Sequence, residues 1–314
     1  MKERKKKITT IGGQAVIEGV MMRGESSMAT AVRDEDGIIR IESKRITPAK
    51  KRKKILKFPI IRGVYAFLQS FIGGTKVLMR SAEVYGEGEP SKFEKWFSKK
   101  FKIDIMSVVI TFSLILGIGL AVLLFIIAPI FVRKLIEFFA TGDKKYIALS
   151  YKETYFNIWA KNFIEGGLKI LIFISYILLC TCIKDVRRTF MYHGAEHKTI
   201  SCFESGLELN VENAKKCTRV HNRCGTTFIV FVMVIGILLF AVLEAILGSS
   251  VEGLLRVLCK IALLPLVAGL SYELLKGLAK TNCFIVYPLK VPGLLLQRLT
   301  TKEPDEEMLE VAIT

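Results

Sequence analysis

Apolar stretches without charged side chains alternate with polar segments through the last two thirds of the chain. The longest runs from Ile105 to Val132, and its 28 uncharged residues exceed the roughly 20 residues that cross a bilayer core. The pattern predicts four membrane-spanning helices at about residues 105–132, 166–183, 225–243 and 254–275. The fourth contains Lys260 and Glu273, which either pair with other charges or lie near the helix ends and reach the head groups.

The N-terminal residues follow the shorter period of β-strands. Polarity alternates on both sides of Asp34–Gly37, a turn with glycine where positive φ is favoured, so a β-hairpin is predicted over 27–45. The preceding segment, Gly12–Gly24, holds four glycines in 13 residues, which implies close approach of the backbone. It is either a loop packed on a functional site, with Glu18 and Arg23 as polar contacts, or a glycine-punctuated pair of strands.

Between the hairpin and the first span, apolar residues recur at helical spacing from Phe58 to Met79. The positions that share this face are Ile61, Val64, Tyr65, Leu68, Phe71 and Ile72. Arg62 and Gly63 argue against a fifth span, so an amphipathic helix on the membrane surface or on the helix bundle is predicted. Residues 86–102 are predicted to form a linker and a short basic helix.

These patterns divide the chain into four parts. They are a basic N-terminal cytoplasmic part with the glycine-rich segment and the hairpin (1–57), an amphipathic helix and linker (58–102), a four-helix membrane region (103–300) with a polar loop at 184–224, and an acidic tail (301–314). The predicted fold class is mainly α. It is a four-span α-helical membrane protein with a small N-terminal cytoplasmic α+β part and an amphipathic surface helix.

Composition narrows the class of protein. The 314 residues are 51% hydrophobic, yet 24% are charged and the net charge is +17. The mean hydropathy is +0.41. Hydrophobicity and charge must therefore be segregated along the chain, which excludes a disordered protein, a collagen-like repeat and a small disulfide scaffold. Seven cysteines, an odd number, indicate a reduced compartment rather than a disulfide framework.

Positive charge is concentrated before the first span, where residues 1–102 contain 24 Lys/Arg and 11 Asp/Glu, a net charge of +13. Such a block either keeps these segments in the cytoplasm or binds an anionic partner, such as anionic lipid or the ribosome; no specific DNA binding is expected. Four spans then place both termini on the cytoplasmic side of the inner (plasma) membrane, together with the eight Lys/Arg of 184–224. The seven Lys/Arg of 133–169, assigned to the outside, disagree with this topology. The oligomeric state is left open.

All three histidines of the chain lie in the polar loop between the second and third spans. His193 and His197 are four residues apart, so on a helix their imidazoles project from one face and can hold one zinc ion. Glu196 stands beside them as a candidate general base on a water at the metal, and the pattern matches the inverted zincin signature. His221 and Cys224 add a His-x-x-Cys pair, separated from His197 by 23 residues. The sequence predicts a divalent metal site, most simply zinc, on these three histidines and the cysteine.

Two kinds of metal site fit this ligand set. Four protein ligands would make a closed, structural site, whereas three ligands with an open position and Glu196 would make a catalytic one. Glu204 and Glu212 are further oxygen candidates. Asn210 resembles the N-cap of a helix, however, and Glu212 would then merely suit the helix dipole. Without a metal, the histidines would be polar residues at the membrane interface and Cys224 the first packed residue of the third span.

Three motifs together resemble the YqhQ family, a bacterial membrane family of unknown function, and the similarity extends over roughly residues 8–300. They are Gly12–Arg23, Tyr192–Thr199 with Val211–Asn213, and His221–Thr226. The family commonly has proline where this chain has Asn222, which removes a rigid φ but no ligand. The resemblance implies a predicted metal-dependent enzyme and adds weight to the Gly12–Gly24 segment and the His/Cys cluster as the site.

Two functions remain open at this stage. The first is a metal-dependent membrane hydrolase in which Glu196 is the general base and Cys224 is a fourth ligand or a nearby thiol. The alternative is a non-catalytic membrane scaffold with a structural metal, which binds the ribosome or anionic lipid through the basic N-terminal region. Transport is a third and weaker hypothesis for the function, because the spans contain few ionisable groups and no inverted repeat is evident.

Overall fold

The structure, a computed structural model, describes residues 9, 11–48, 53–85, 105–144, 158–221, 224–247, 253–280 and 287–314. The predicted linker and basic helix at 86–102 lie outside these residues. The chain forms two compact units. Unit 1 comprises Met1–Glu87, Ile177–Ile235 and Ala262–Thr314, and unit 2 comprises Gly88–Tyr176 and Gly236–Ile261.

An antiparallel sheet of four strands, in the order β1-β2-β3-β4, forms the N-terminal part of unit 1. The strands are β1 (Gly12–Val16), β2 (Gly19–Arg23), β3 (Ser27–Arg33) and β4 (Ile39–Arg45). The hairpin predicted over 27–45 is confirmed as β3–β4, and Gly37 has the expected positive φ of 81°. The Asp34 carboxylate accepts hydrogen bonds from the Ile38 N–H and from Arg40, which closes the turn. The glycine-rich segment is a strand pair, β1–β2, one of the two alternatives for it.

In the part of the chain that the structure describes, four helical segments are long and apolar enough to cross a membrane, which agrees with the predicted number. They are Ile115–Thr141, Ala160–Cys180, Gly225–Leu247 and Leu258–Leu278. They belong to α2 (Ile105–Val122), a π-helical turn at Leu123–Ile127 and α3 (Ala128–Thr141), to α4 (Ile158–Cys180), to α7 (Gly225–Leu247) and to α8 (Gly253–Lys280). Only 6–22% of each apolar window is buried inside the protein, so most of its surface is left for lipid.

The helices of the first two candidate spans continue past the predicted intervals, because charges inside unit 2 satisfy one another. The predicted first span ends at Val132, but the helix continues through Arg133 to Thr141. The Arg133 guanidinium donates to Glu137 and, at 2.8 Å, to Glu165. A buried charge that is paired and hydrogen-bonded no longer ends a span, whereas an isolated one would.

The two charged residues of the fourth span also have partners. In unit 2 the Lys260 ammonium donates to Glu244 at 2.6 Å. In unit 1 the Glu273 carboxylate accepts from the Arg62 guanidinium at the start of α1 (Ile61–Tyr85), with the Nε–Oε1 pair 2.6 Å apart. Of the two alternatives for these residues, pairing is therefore the one observed.

The predicted helix after the hairpin is α1, and its first turn packs closely on α8. A Cβ at Gly63 would lie 2.9 Å from the carbonyl oxygen of Gly269, so only glycine permits this approach. Phe67, Leu68, Phe71 and Ile72 remain exposed along the helix. Its placement on the membrane surface stays a prediction.

The core of unit 1 forms where α5 (Lys184–Glu204) meets the sheet and the last helix, α10 (Glu306–Ile313). The residues predicted as a polar loop are thus mostly helical, with α6 (Val211–Lys216) and α9 (Tyr287–Thr300) completing the unit. The predicted N-cap of α6 is confirmed, since the Asn210 side chain accepts from the Asn213 N–H at 2.9 Å. Met308 and Leu309, which belong to the segment predicted as an acidic tail, are completely buried.

Candidate metal centre

Helix α5 carries two of the predicted ligands on one face. His193 and His197 lie one turn apart, and their ring centroids are 4.5 Å from each other. The helix buries this face almost completely, and the side chain of His197 is only 2% exposed. The i, i+4 spacing therefore places two imidazoles together, as the sequence predicts.

The third member of the cluster comes from the start of α7. Cys224 immediately precedes this helix, and its Sγ lies 3.3 Å from Nε2 of His193. One potential ligand atom from each of His193, His197 and Cys224 lies within 4.8 Å of the other two. Two imidazole nitrogens and a thiolate at these separations are a ligand set that zinc accepts.

Backbone carbonyls orient both imidazoles. His193 Nδ1 lies 2.9 Å from the carbonyl oxygen of Thr300, and His197 Nδ1 lies 2.6 Å from that of Arg219. A carbonyl oxygen only accepts hydrogen bonds, so each Nδ1 carries a proton, and Nε2 is the ring nitrogen left to bind a metal in the neutral imidazole. Metal-binding histidines in proteins are commonly held in this way. The cluster therefore fits a metal in ligand type, proximity and tautomer.

His221, predicted as a ligand, is not a member of this cluster. Its Nε2 lies 3.3 Å from an Oε2 of Glu204, and that carboxylate also accepts from the backbone and hydroxyl of Thr9. The Gln297 side chain holds the His221 backbone, because it accepts from the His221 N–H and donates to its carbonyl. The structure thus brings three of the four predicted residues together, while the ring centroid of His221 lies 5.9 Å from that of His197, and the role of His221 as a ligand stays a prediction.

Glu196 lies beside the cluster, and one of its carboxylate oxygens has no hydrogen-bond partner among the described residues. This oxygen is Oε2, and the side chain is buried. Burial raises the pKa of the Glu196 carboxyl to about 7, while the charge of His193 and the N–H of Gly13 oppose that rise. A carboxyl with such a pKa can both accept and release a proton near neutral pH.

A cavity of about 310 Å³ connects these groups. It is lined by Gly13, Gln14, Ala15, Thr189, Phe190, His193, Glu196, His197, Ile200, His221, Cys224, Gly225, Thr226 and Ile229. The glycine-rich segment is therefore a strand pair that also packs on the site, so its two sequence-based interpretations are both partly right. Space for a small molecule adjoins the three ligands and the free oxygen of Glu196.

Replacing Gly13 with alanine is expected to disturb Glu196. The new Cβ would lie 2.8 Å from the carboxyl carbon of Glu196 and 2.6 Å from the carbonyl oxygen of Met21. Overpacking of this kind costs about 1–3 kcal/mol, so the melting temperature should fall. Gly12→Ala is the matched control, because nothing lies within 4 Å of a Cβ there. Thermal unfolding of the two purified variants in detergent checks this, and equal melting temperatures would contradict the close packing.

The remaining predicted contacts lie away from the cluster. Glu18 has positive φ at the β1–β2 turn, and its carboxylate accepts from Arg188 and, at 3.1 Å, from the Tyr192 hydroxyl. It thus ties the sheet to α5. Arg23 ends β2 and does not line the cavity. Glu212 is exposed in the first turn of α6, where its hydrogen bond to Lys216 lowers the pKa of its carboxyl.

Several groups that shape the site have no signal in the sequence. The Thr300 and Arg219 carbonyls act through the backbone, so any residue type could occupy those positions. Gln297 is fully buried and bridges His221 and Thr227, but its position 76 residues from His221 gives no spacing to recognise. Gly13 could be suspected from the local density of glycine alone.

Comparison with known proteins agrees with the motif resemblance. A family model described as a protein of unknown function, DUF1385, matches residues 58–314. The uncharacterized protein YqhQ of Bacillus subtilis (strain 168) is 34% identical over 308 residues, which are 96% of this chain and 89% of that protein. No solved structure matches. The resemblance to the YqhQ family is thereby confirmed, and the chain belongs to the DUF1385 family.

Proposed function

We propose that this protein is a metal-dependent hydrolase of the membrane, with a zinc-type ion held by His193, His197 and Cys224. The observation that carries the proposal is the combination of three clustered candidate ligands with a cavity and a buried carboxylate oxygen that has no partner among the described residues. Structural zinc sites are closed by four protein ligands, whereas catalytic sites leave one position open. A bound ion would supply a Lewis acid and lower the pKa of a coordinated water.

Glu196 is proposed as the general base. It adjoins His197 in the chain and lines the same cavity, so it lies within reach of a water in that space. The Gly13 N–H holds its carboxylate in place, which leaves the unpartnered oxygen to take up a proton. The proton would then be passed to the leaving group, as in other hydrolases with a carboxylate base.

The test is Glu196→Gln, with Glu204→Gln as the matched control. Both side chains are buried carboxyls on α5, but only Glu196 lines the cavity. Glu196→Gln should keep about one zinc per chain and lose hydrolysis by about 100-fold or more, since general-base catalysis contributes 10²–10⁴-fold. Glu204→Gln should keep both. Zinc is measured by mass spectrometry, and hydrolysis with a panel of chromogenic esters and amides.

A scaffold with a structural metal would give a different result. It predicts that Glu196→Gln keeps zinc and that no probe is hydrolysed by wild type above the rate of the metal-stripped protein. Retained hydrolysis in Glu196→Gln would equally contradict the assignment of the base.

A further inference from the structure

The wall of the cavity is built from the end of a membrane-spanning helix. Thr226 and Ile229 line the cavity, and they are the second and fifth residues of α7, whose apolar span is Gly225–Leu247. Ile229 is also 40% exposed, so this turn faces both the cavity and the outside of the protein. The cluster of His193, His197 and Cys224 therefore lies beside the end of a helix that is long and apolar enough to cross a membrane.

The opposite wall begins close to another span. Thr189 and Phe190 line the cavity from the second turn of α5. That helix starts at Lys184, four residues after the span Ala160–Cys180 ends. Both walls thus come from segments within about ten residues of the end of a candidate span, so the cavity would lie near head-group depth once these spans cross a bilayer.

An exposed apolar patch adjoins the same turn of α7. It consists of Phe67, Leu68, Phe71 and Ile72 on α1, with exposed fractions of 40–62%. The Phe67 ring lies 5.7 Å from that of Phe228, the neighbour of Ile229 in the chain. The patch is therefore continuous with the lipid-facing surface of α7, and hydrocarbon chains are the partner that fits it.

The size and charge of the cavity restrict what enters it. A volume of about 310 Å³ is at the lower end for ligand pockets, so it accommodates the polar end of an amphiphile but not its chains. Among the described residues that line it there is no lysine or arginine. The lining includes the carboxyl group of Glu196, which in its charged form repels an anionic phosphate, so an uncharged ester group fits the described lining better.

We infer that the substrate is a membrane lipid with a carboxylic ester at head-group depth, an inference that rests on the proposed function. The lipid ester would enter the cavity beside the metal cluster, and its chains would stay on the α1–α7 patch. In the hydrolysis, a water oxygen bonds to the acyl carbon and the ester C–O bond breaks. Glu196 takes the proton of that water and returns it to the leaving alcohol, so that no further reactant is needed.

The experiment compares two ester probes on the full-length, zinc-loaded protein in phosphatidylcholine vesicles. We expect kcat/KM for 4-nitrophenyl palmitate in the bilayer to exceed that for water-soluble 4-nitrophenyl acetate by about 100-fold. Ile229→Trp should obstruct the lipid-facing side of the cavity and lower the palmitate rate at least about tenfold. Ile246→Trp is the matched control on α7, because Ile246 is 75% exposed and does not line the cavity. Both variants should keep zinc.

A second readout separates this inference from the proposed function. A phosphatidylcholine with a photoreactive diazirine on its acyl chain should crosslink to the peptide containing Ile229 even in Glu196→Gln. Crosslinking without hydrolysis of either probe would support the lipid site and overturn the hydrolase. Hydrolysis of the soluble ester at an equal or higher kcat/KM, with no crosslink and no effect of Ile229→Trp, would overturn the lipid substrate and leave the hydrolase intact. Cleavage only of a membrane-inserted peptide probe would likewise overturn the lipid substrate.

Discussion

Purified His193→Ala, His197→Ala and Cys224→Ala are each expected to lose bound zinc, whereas His221→Ala retains it. The three residues offer ligand atoms within 4.8 Å of one another, and removing one leaves only two. The Nε2 of His221 instead lies 3.3 Å from Glu204. The loss of a residue that binds the metal directly should weaken zinc binding by more than about 10–100-fold, the effect typical of mutating residues that hydrogen-bond to the ligands. Zinc per chain, measured after dialysis against a weak chelator, checks the prediction.

The His221 variant is the informative member of this series. If it loses zinc as completely as the other three, the metal has four protein ligands and the site is closed, as in structural zinc sites. That outcome would contradict the three-ligand arrangement and with it the proposed open position. Thermal unfolding of His221→Ala serves as the control, because a variant that is not folded would lose zinc for an unrelated reason.

Gly194→Ala is expected to destabilise unit 1 strongly. Gly194 lies on α5 between the two histidines, and the segment after α9 crosses it, with the Lys302 N–H donating to the Phe190 carbonyl at 2.8 Å. A Cβ at Gly194 would overlap the carbonyl oxygen of Lys302, a backbone atom that cannot rotate aside. The cost should reach the upper part of the overpacking range, about 3 kcal/mol, and zinc content should fall with it because Thr300 directly precedes the displaced segment.

Gly167→Ala is the matched control for Gly194→Ala. It is also a helical glycine, but nothing lies within 4 Å of a Cβ at that position. Alanine there should be neutral or stabilise the helix by up to about 1 kcal/mol. Melting temperatures of both variants in the same detergent provide the comparison. A Gly194→Ala protein that melts with the wild type would show that the crossing segment is not packed on α5.

The membrane helices and the hairpin were predictable because each depends on a local pattern. A span needs only a long interval between charges, as between Arg223 and Glu244, and a turn needs only residues such as Asp34 and Gly37. The Asn210 cap has a similarly local cause. Charges that pair across helices have no such local cause. For that reason the predicted first span ends before Arg133, although the helix continues through this residue.

The candidate site was predictable only where helical spacing determines the direction in which the side chains project. His193 and His197 share a face at any i, i+4 spacing, but residues outside helices have no such constraint. Spacing therefore could not place His221 and Cys224 relative to the two histidines of α5. The last helix was missed for another reason. Eight residues with four buried side chains are too short for a clear period, and their glutamates suggested an exposed tail.

The contact of Thr300 with His193 has a consequence for the order of biosynthesis. The carbonyl that orients this ligand and the helix that covers Tyr192 and Ala195 both come from residues 300–313. A nascent chain must therefore complete all four spans, and then the residues after them, before the metal cluster is assembled. On the proposed function, the complete metal centre would therefore form only after the last candidate span has been synthesised.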